Sequence, residues 1–345
     1  MHTLQTFTDP VTEIACDESG WEGSNFAAAN SDVIAYASVG LTAEAAEECV
    51  RTLRGSSSRP GDEFKAGHLM RLRDGSQLAA FLGPAGPVHG LAWVHLTHKS
   101  CFVLRRAFDI FLGDFADTRS LGLRPDERLS RQAAELCRTG PDAYGREPWQ
   151  AFLLTANAVL RANRHPQVHA PVDAFFAALD VLRRSRGSDI LDELHDARAG
   201  AYAARTRLLD GHVLHPVLEP LIPALVRTAL HWSGGERPIA IVHDEQSALT
   251  ERRMHLMEQV LAEPPIEAIR RPEHGRFLRL RQADSRTEPR VQVADLLAGV
   301  ARKIASDSLR GAADPALTAA LRPYLDPASC WCGRSPLAEE GSLFR

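Results

Sequence analysis

Three acidic positions, far apart in the chain, carry the most evident chemistry in this sequence. Asp17-Glu18-Ser19-Gly20 closes one apolar run and Val242-His243-Asp244-Glu245-Gln246 closes another; Asp295 sits inside Val291-Gln292-Val293-Ala294-Asp295-Leu296-Leu297-Ala298-Gly299. Each acid adjoins core-forming sequence, so a fold that joins these segments gathers carboxylates in one place. Hard cations such as Mg²⁺ or Mn²⁺ take oxygen ligands and keep several waters, so a few convergent carboxylates hold them. Two such ions about 3.5–4 Å apart activate water and stabilise the leaving oxygen of a phosphodiester, with no nucleophilic side chain required. The plain alternative is that each acid only caps a turn or a helix.

The elements that must position these acids are readable from periodicity. Val11 to Cys16 reads as a strand with Ile14 and Cys16 on one face and Asp17 opposite. Asp32 to Val39 is a second strand, and Leu41 to Leu53 a helix. A Gly/Ser/Pro loop then delivers Asp62-Glu63-Phe64-Lys65, followed by a short helix at Ser76 to Phe81. Leu91 to Leu96 is a strand ending at Thr97-His98-Lys99.

From Phe102 to Trp232 the pattern is almost wholly helical, clearest at Pro148 to Asn163, Val172 to Arg184, Ile190 to Leu208 and Val217 to Trp232. Pro238 to Val242 runs apolar without alternation, as a strand buried on both faces does. A helix from Ala248 to Leu261, a short strand at Phe277 to Leu280 and a helix from Val291 to Leu309 follow. The rest reads as an irregular, peripheral tail. The expected architecture is a mixed α/β sheet built from residues 1–100 and 234–310, an all-helical insertion at 101–233 and a tail at 311–345.

On the last helix Gln292, Asp295, Gly299 and Arg302 share one face, while Val293, Leu296, Leu297, Val300 and Ile304 supply the buried side. Gly299 lets that face approach another backbone closely. Arginines 270, 271, 276, 279, 281, 286, 290 and 302, with Lys303, crowd the stretch around this helix, a composition suited to holding phosphates near a metal. Only Lys65, Lys99 and Lys303 are lysine among forty basic residues, so Lys65, two residues from Glu63, is a candidate phosphate contact. Of the fourteen histidines, His98 at a strand end is the candidate for proton transfer; His243 alternates away from Asp244 and reads as core.

Other chemistries find little support. There is no HExxH helix, GxSxG elbow, P-loop or strand–GxGxxG–helix unit. The six cysteines are too sparse for a disulfide framework and none has CxxC spacing; Cys330-Trp331-Cys332 holds a metal only with partners from elsewhere. Net charge is −4, so the whole chain is not a polycation for nucleic acid. An aromatic content of 6% argues against a dedicated stacking groove for single strands. With no secretory signal or membrane-length apolar run, cytoplasm is the expected location.

The Asp17-Glu18-Ser19-Gly20 start, Glu63-Phe64-Lys65, Thr97-His98-Lys99, His243-Asp244-Glu245 and the closing Gln292-x-Ala294-Asp295-Leu296-Leu297-Ala298-Gly299 occur in that order. This resembles the bacterial domain-of-unknown-function family numbered 3800, itself similar to the RNase H-like superfamily, over Val11 to Ser308. The resemblance implies an RNase H-like mixed sheet with a large helical insertion. It implies an acidic site of Asp17, Glu63, Asp244 and Asp295, with Glu18 and Glu245 as adjacent alternatives. At Asp284-Ser285-Arg286 an arginine stands where members often carry lysine.

The resulting expectation is a nuclease or related phosphodiesterase dependent on Mg²⁺ or Mn²⁺ and acting on nucleic acid. Asp17, Asp244 and Asp295 would bind metal, Glu63 would act as a further catalytic acid, and Lys65, Arg281 and Arg286 would hold phosphate. Two rivals stand beside it: a hydrolase of a nucleotide-like small molecule using the same acids, and a non-catalytic interaction protein retaining the fold.

Overall fold

The structure, a computed structural model, describes residues 11–54, 66, 76–113, 126–161, 167–210, 217–234, 237–262 and 277–332. Five strands form one mixed sheet: β1 (Thr12–Ser19), β2 (Val33–Val39), β3 (Ala92–His98), β4 (Ile239–Asp244) and β5 (Phe277–Ala283), in the order β3-β2-β1-β4-β5. Strand β2 runs antiparallel to β1 and β3, while β1, β4 and β5 are parallel. The carboxyl ends of β1, β3, β4 and β5 therefore share one edge of the sheet.

Helices α1 (Ala43–Arg54) and α2 (Ser76–Leu82) lie between β2 and β3. Among the described residues seven helices separate β3 from β4: α3 (Lys99–Phe111), α4 (Glu127–Tyr144), α5 (Arg146–Leu160), α6 (His169–Ser185), α7 (Asp189–Asp196), α8 (Arg198–Leu209) and α9 (Leu221–Ser233). α10 (Glu251–Ala262) joins β4 to β5. α11 (Pro289–Leu309) and α12 (Pro315–Leu321) close the chain. The stretch expected as one helix over Ile190 to Leu208 is broken at Ala197, whose ψ of 6° re-aims α8. The break lets Leu191 and Leu194 bury as well as Ala201 and Ala204.

Strand alternation sends Ile14, Cys16, Ile34, Tyr36 and Ile241 to one side, where they join Phe102, Phe108, Phe152, Phe175 and Leu179 in a single apolar cluster. The inserted helices thus continue the core of that sheet face. On the other side Ala15, Ala35, Ala37 and Val242 pack against α1, α2, α11 and α12. The small side chains here let α11 lie close across β1 and β2. Burial on both faces explains why β4 reads as an unbroken apolar run.

The segment after α11, expected to be peripheral, is built into the core instead. Leu321, Tyr324, Asp326, Cys330, Trp331 and Cys332 are all buried. Its backbone covers the open edge of β3: Asp326 N–H donates to Val94 O (2.7 Å), His98 N–H donates to Cys330 O (2.8 Å), and Ser329 Oγ accepts from Leu96 N–H (3.0 Å). Unpaired edge groups invite adventitious pairing, and this strap satisfies them within the chain.

Asp326 anchors the strap, accepting from Arg227 Nη2 at 3.1 Å and lying 2.8 Å from His95 Nδ1. Burial opposes its ionisation, but the His95 and Arg227 contacts outweigh that and hold the carboxyl far below its usual range. Its stabilisation is therefore present above the ordinary aspartate range and lost as pH falls through the depressed folded value. Asp326→Ala should lower stability at pH 7 by about 3 kcal/mol, the scale for breaking a buried pair. The gap from wild type should narrow on acidification. Urea unfolding at pH 7 and pH 3 checks this; an equal loss at both would remove the ion pair as its cause.

Candidate metal centre at the carboxylate edge

The register between β1 and β4 assembles the site. Cys16 lies opposite His243, so the next residues, Asp17 and Asp244, fall side by side at the ends of two parallel strands. Alternation directs both toward the α11 face, the side of Ala15 and Val242. Asp295 comes to them from the first half of α11, and its charge, with those of Glu18 and Asp244, acts on Asp17.

Asp17 is only 7% exposed. Burial, then the charges of Glu18, Asp295 and Asp244, push its carboxyl well above the usual range; the Glu18 N–H donated to Oδ1 at 2.7 Å pulls the other way. Asp244 Oδ1 accepts the Ser285 N–H at 3.0 Å from the turn after β5. Ser285 O in turn accepts from Gln292 Nε2 at 2.6 Å, and Gln292 Oε1 accepts from Arg54 Nη2 at 3.3 Å. A chain of hydrogen bonds thereby joins Asp244 to α11 and α1.

The stripe Gln292, Asp295, Gly299, Arg302 lies on a helix that is buried almost all round, so it faces the sheet edge and not open solvent. A Cβ on Gly299 would stand 2.4 Å from Ala66 Cβ, so glycine is required for this approach. Arg302 Nε donates to Ser19 Oγ at 3.0 Å, beyond Asp17 on β1. Gly20 then turns with φ +97°, where a side chain would also strike Val33 O at 2.4 Å.

Glu18 and His243 occupy the other face of the same two strands. His243 Nδ1 lies 2.9 Å from Asp244 O, a carbonyl that only accepts, so Nδ1 carries a proton and Nε2 is the nitrogen turned toward Glu18. Nε2 sits 3.4 Å from Glu18 Oε2, and among the described residues that buried oxygen has no hydrogen-bond partner. Glu18 Oε1 accepts from Gln246 Nε2. Ligand atoms of Asp17, Glu18 and His243 lie within 4.8 Å of one another. A histidine whose far nitrogen is tied to a carbonyl is oriented as metal-ligating histidines are.

Carboxylate oxygens are the ligands that Mg²⁺ or Mn²⁺ prefer. Among the described residues around these acids, the group with ligand atoms close enough to share an ion is Asp17, Glu18 and His243, and Asp244 and Asp295 are not part of it. A cation here would relieve the repulsion that drives Asp17 toward its protonated form.

Of the other residues expected at the site, Glu63 and Lys65 lie outside the described residues. Glu245 is exposed, one step beyond Asp244. Arg281 is engaged at the far end of β1, bridging Glu13 at 3.0 Å and Glu288 at 3.2 Å in a network with Arg290. That contact holds Glu13 down at about 2. Arg286 is exposed and its fork grips Asp284, one residue from Ser285. His98, expected to move protons, is partly buried two strands away from β1 beside Cys332. His243, read from the sequence as core, is buried, and strand alternation places it on the face of Glu18. A surface groove lined by Gln167, His169, Tyr202 and Thr206 contains none of the acids.

In metal-free protein, ionised Asp17 opposes folding, because its folded carboxyl holds its proton more tightly than the unfolded one does. Stability therefore falls as pH rises through the folded value. Asp17→Asn should raise Tm in chelator at pH 8, each kcal/mol being worth about 2–4 °C in chains of a few hundred residues. The gain should fade below about pH 4, the ordinary carboxylate range. A variant no more stable than wild type at pH 8 would show that the acids do not strain one another.

Compared with known proteins, the chain matches no family model, no curated protein and no solved structure.

Proposed function

We propose that this protein is a metal-dependent nuclease or phosphodiesterase of RNase H-like type, using Mg²⁺ or Mn²⁺ held by Asp17, Asp244 and Asp295. The observation that carries the reading is the placement of Asp17 beside Asp244 at the ends of parallel β1 and β4, faced by Asp295 from α11. A mixed five-stranded sheet in which only β2 runs against the others is compatible with the fold implied by the resemblance to the family numbered 3800.

The chemistry follows from oxygen donors crowded into a nearly dry place. Divalent ions held there would supply activation of water and stabilisation of the leaving oxygen of a phosphodiester. The chain's own residues prepare the ligands. Ser285 N–H fixes one oxygen of Asp244, and Glu18 N–H fixes one oxygen of Asp17, leaving each carboxylate a second oxygen to direct inward. Glu18 offers a carboxylate on the opposite face of the strands, with His243 Nε2 3.4 Å from its Oε2. Arg302, held by Ser19, places a guanidinium beside the acids, where it can meet a phosphate oxygen. Arg286 is an exposed arginine on the turn whose amide binds Asp244.

The test is cleavage of labelled single- and double-stranded DNA and RNA with Mn²⁺ or Mg²⁺, alongside metal binding by calorimetry. Asp17→Asn and Asp244→Asn should each reduce cleavage by at least about a hundredfold, the scale at which even the outer partners of metal ligands act. Both variants should remain folded. Cleavage that survives chelation, or is unchanged in both variants, would refute the reading. Hydrolysis of nucleotides alone, lost in the same variants, would assign the acids to a small-molecule substrate.

A further inference from the structure

The acids leave unexplained a second cluster at the same sheet edge, two strands away, where β3 ends. Cys101 in the first turn of α3, Cys137 in the middle of α4, and Cys330 and Cys332 from the C-terminal strap are all buried free thiols. They come from parts of the chain as much as 231 residues apart, yet their sulfurs meet. Cys332 Sγ lies 2.8 Å from Cys137 Sγ, and the Cys101 thiol interacts with Cys137, Cys330 and Cys332. His98, the last residue of β3, sits with Nδ1 2.9 Å from Cys332 Sγ and 3.9 Å from Cys137 Sγ. Nδ1 and the Cys137 and Cys332 sulfurs all lie within 4.8 Å of one another.

We propose that Cys101, Cys137, Cys330 and Cys332 bind one zinc ion as four thiolates, with His98 as a hydrogen-bond donor to Cys332. Four sulfurs with no hard oxygen donor among them select a soft or borderline cation of tetrahedral preference. The sulfurs would open slightly, since zinc–sulfur bonds of about 2.3 Å set tetrahedral sulfurs roughly 3.8 Å apart. Binding displaces the thiol protons to solvent and leaves a site of net charge −2.

The surroundings carry compensating charge. Arg105 and Arg106 direct positive charge toward Cys330. Arg106 is fully buried, and among the described residues all three guanidinium nitrogens lack a hydrogen-bond partner; its companions are Asp109 at 3.6 Å and the Phe102 ring at 4.8 Å. A buried cation so poorly matched is what an anionic thiolate centre would stabilise. The ion would be structural, with four protein ligands and no open position. It would pin the strap to β3 and to two helices of the insertion.

The experiment uses the full chain isolated under anaerobic, thiol-protected conditions. Elemental analysis should find one zinc per chain. Replacement by Co²⁺ should give sulfur-to-metal charge-transfer absorption and the intense visible bands of a tetrahedral four-thiolate site. Cys101→Ser, Cys332→Ser and Cys330→Ser should each lose the zinc, while Cys49→Ser, on α1 away from the cluster, should keep it. The Co²⁺ spectrum of the unaltered chain decides the matter if a cysteine variant fails to fold. A Cys137–Cys332 disulfide found by mass spectrometry in the fresh protein would overturn the proposal. So would an unaltered chain that takes up neither zinc nor cobalt, zinc that persists in the cysteine variants but vanishes in Asp17→Asn, or a Cys330→Ser variant that retains a four-coordinate site.

Discussion

The parallel register of β1 against β4 is the constraint on which the candidate site depends. With Cys16 opposite His243, Asp17 and Asp244 share a row and a face, while Glu18 and His243 share the other face. A slip of one residue would send every side chain of β1 to the wrong side and separate the acids. Both faces of these strands are apolar, so alternation alone specifies the register weakly. Polar contacts at the start of β1 supply what is missing. Thr12 N–H donates to Pro238 O, and Glu13 is gripped by Arg281 of β5 and Arg290 of α11. Arg281 contributes to the site through this clamp at the opposite end of β1.

From that register follows the electrostatic character of the sheet edge. Three carboxylates act on Asp17 in a place with little water, and each added negative charge makes its ionised form harder to keep. The hydrogen bonds around them orient the acids without neutralising them: backbone amides serve Asp17 and Asp244, and side-chain amides reach Glu18 and Ser285. Oriented acids under mutual repulsion form an environment in which a multivalent cation has much to stabilise. Arg302 lies at the Ser19 end of the α11 stripe and donates to Ser19 Oγ.

The sheet edge thus presents two chemically different centres, one of oxygen donors at β1 and β4 and one of sulfur at the end of β3. Their ligands differ in hardness, so the cations they suit differ as well. The C-terminal strap links the second centre to the fold, since it covers β3, buries Asp326 beside His95 and delivers Cys330 and Cys332. Closing an exposed strand edge and gathering the cysteines are one structural act.

Much of this was legible in the chain. The five strands, the helical block between the third and fourth, and the long terminal helix announce themselves through apolar periodicity, which is a local property. The strand end at Asp17 was placed short: β1 runs on to Ser19, because pairing with β2 continues past the acids. Asp17, Asp244 and Asp295 stood out by type and by position beside core-forming runs. What the sequence determined by itself was therefore which segments are buried and which acids lie next to them. The polar stripe of α11 could have faced water; only packing against β1 and β2 turned it inward. His243 as a partner of Glu18, Arg281 as a clamp on Glu13 and the strap as part of the core were decided by tertiary structure. So was the meeting of Cys101, Cys137, Cys330 and Cys332. The reason is the same in each case: these contacts join residues distant in the chain, and strand register and helix docking, which set them, leave no local periodic trace.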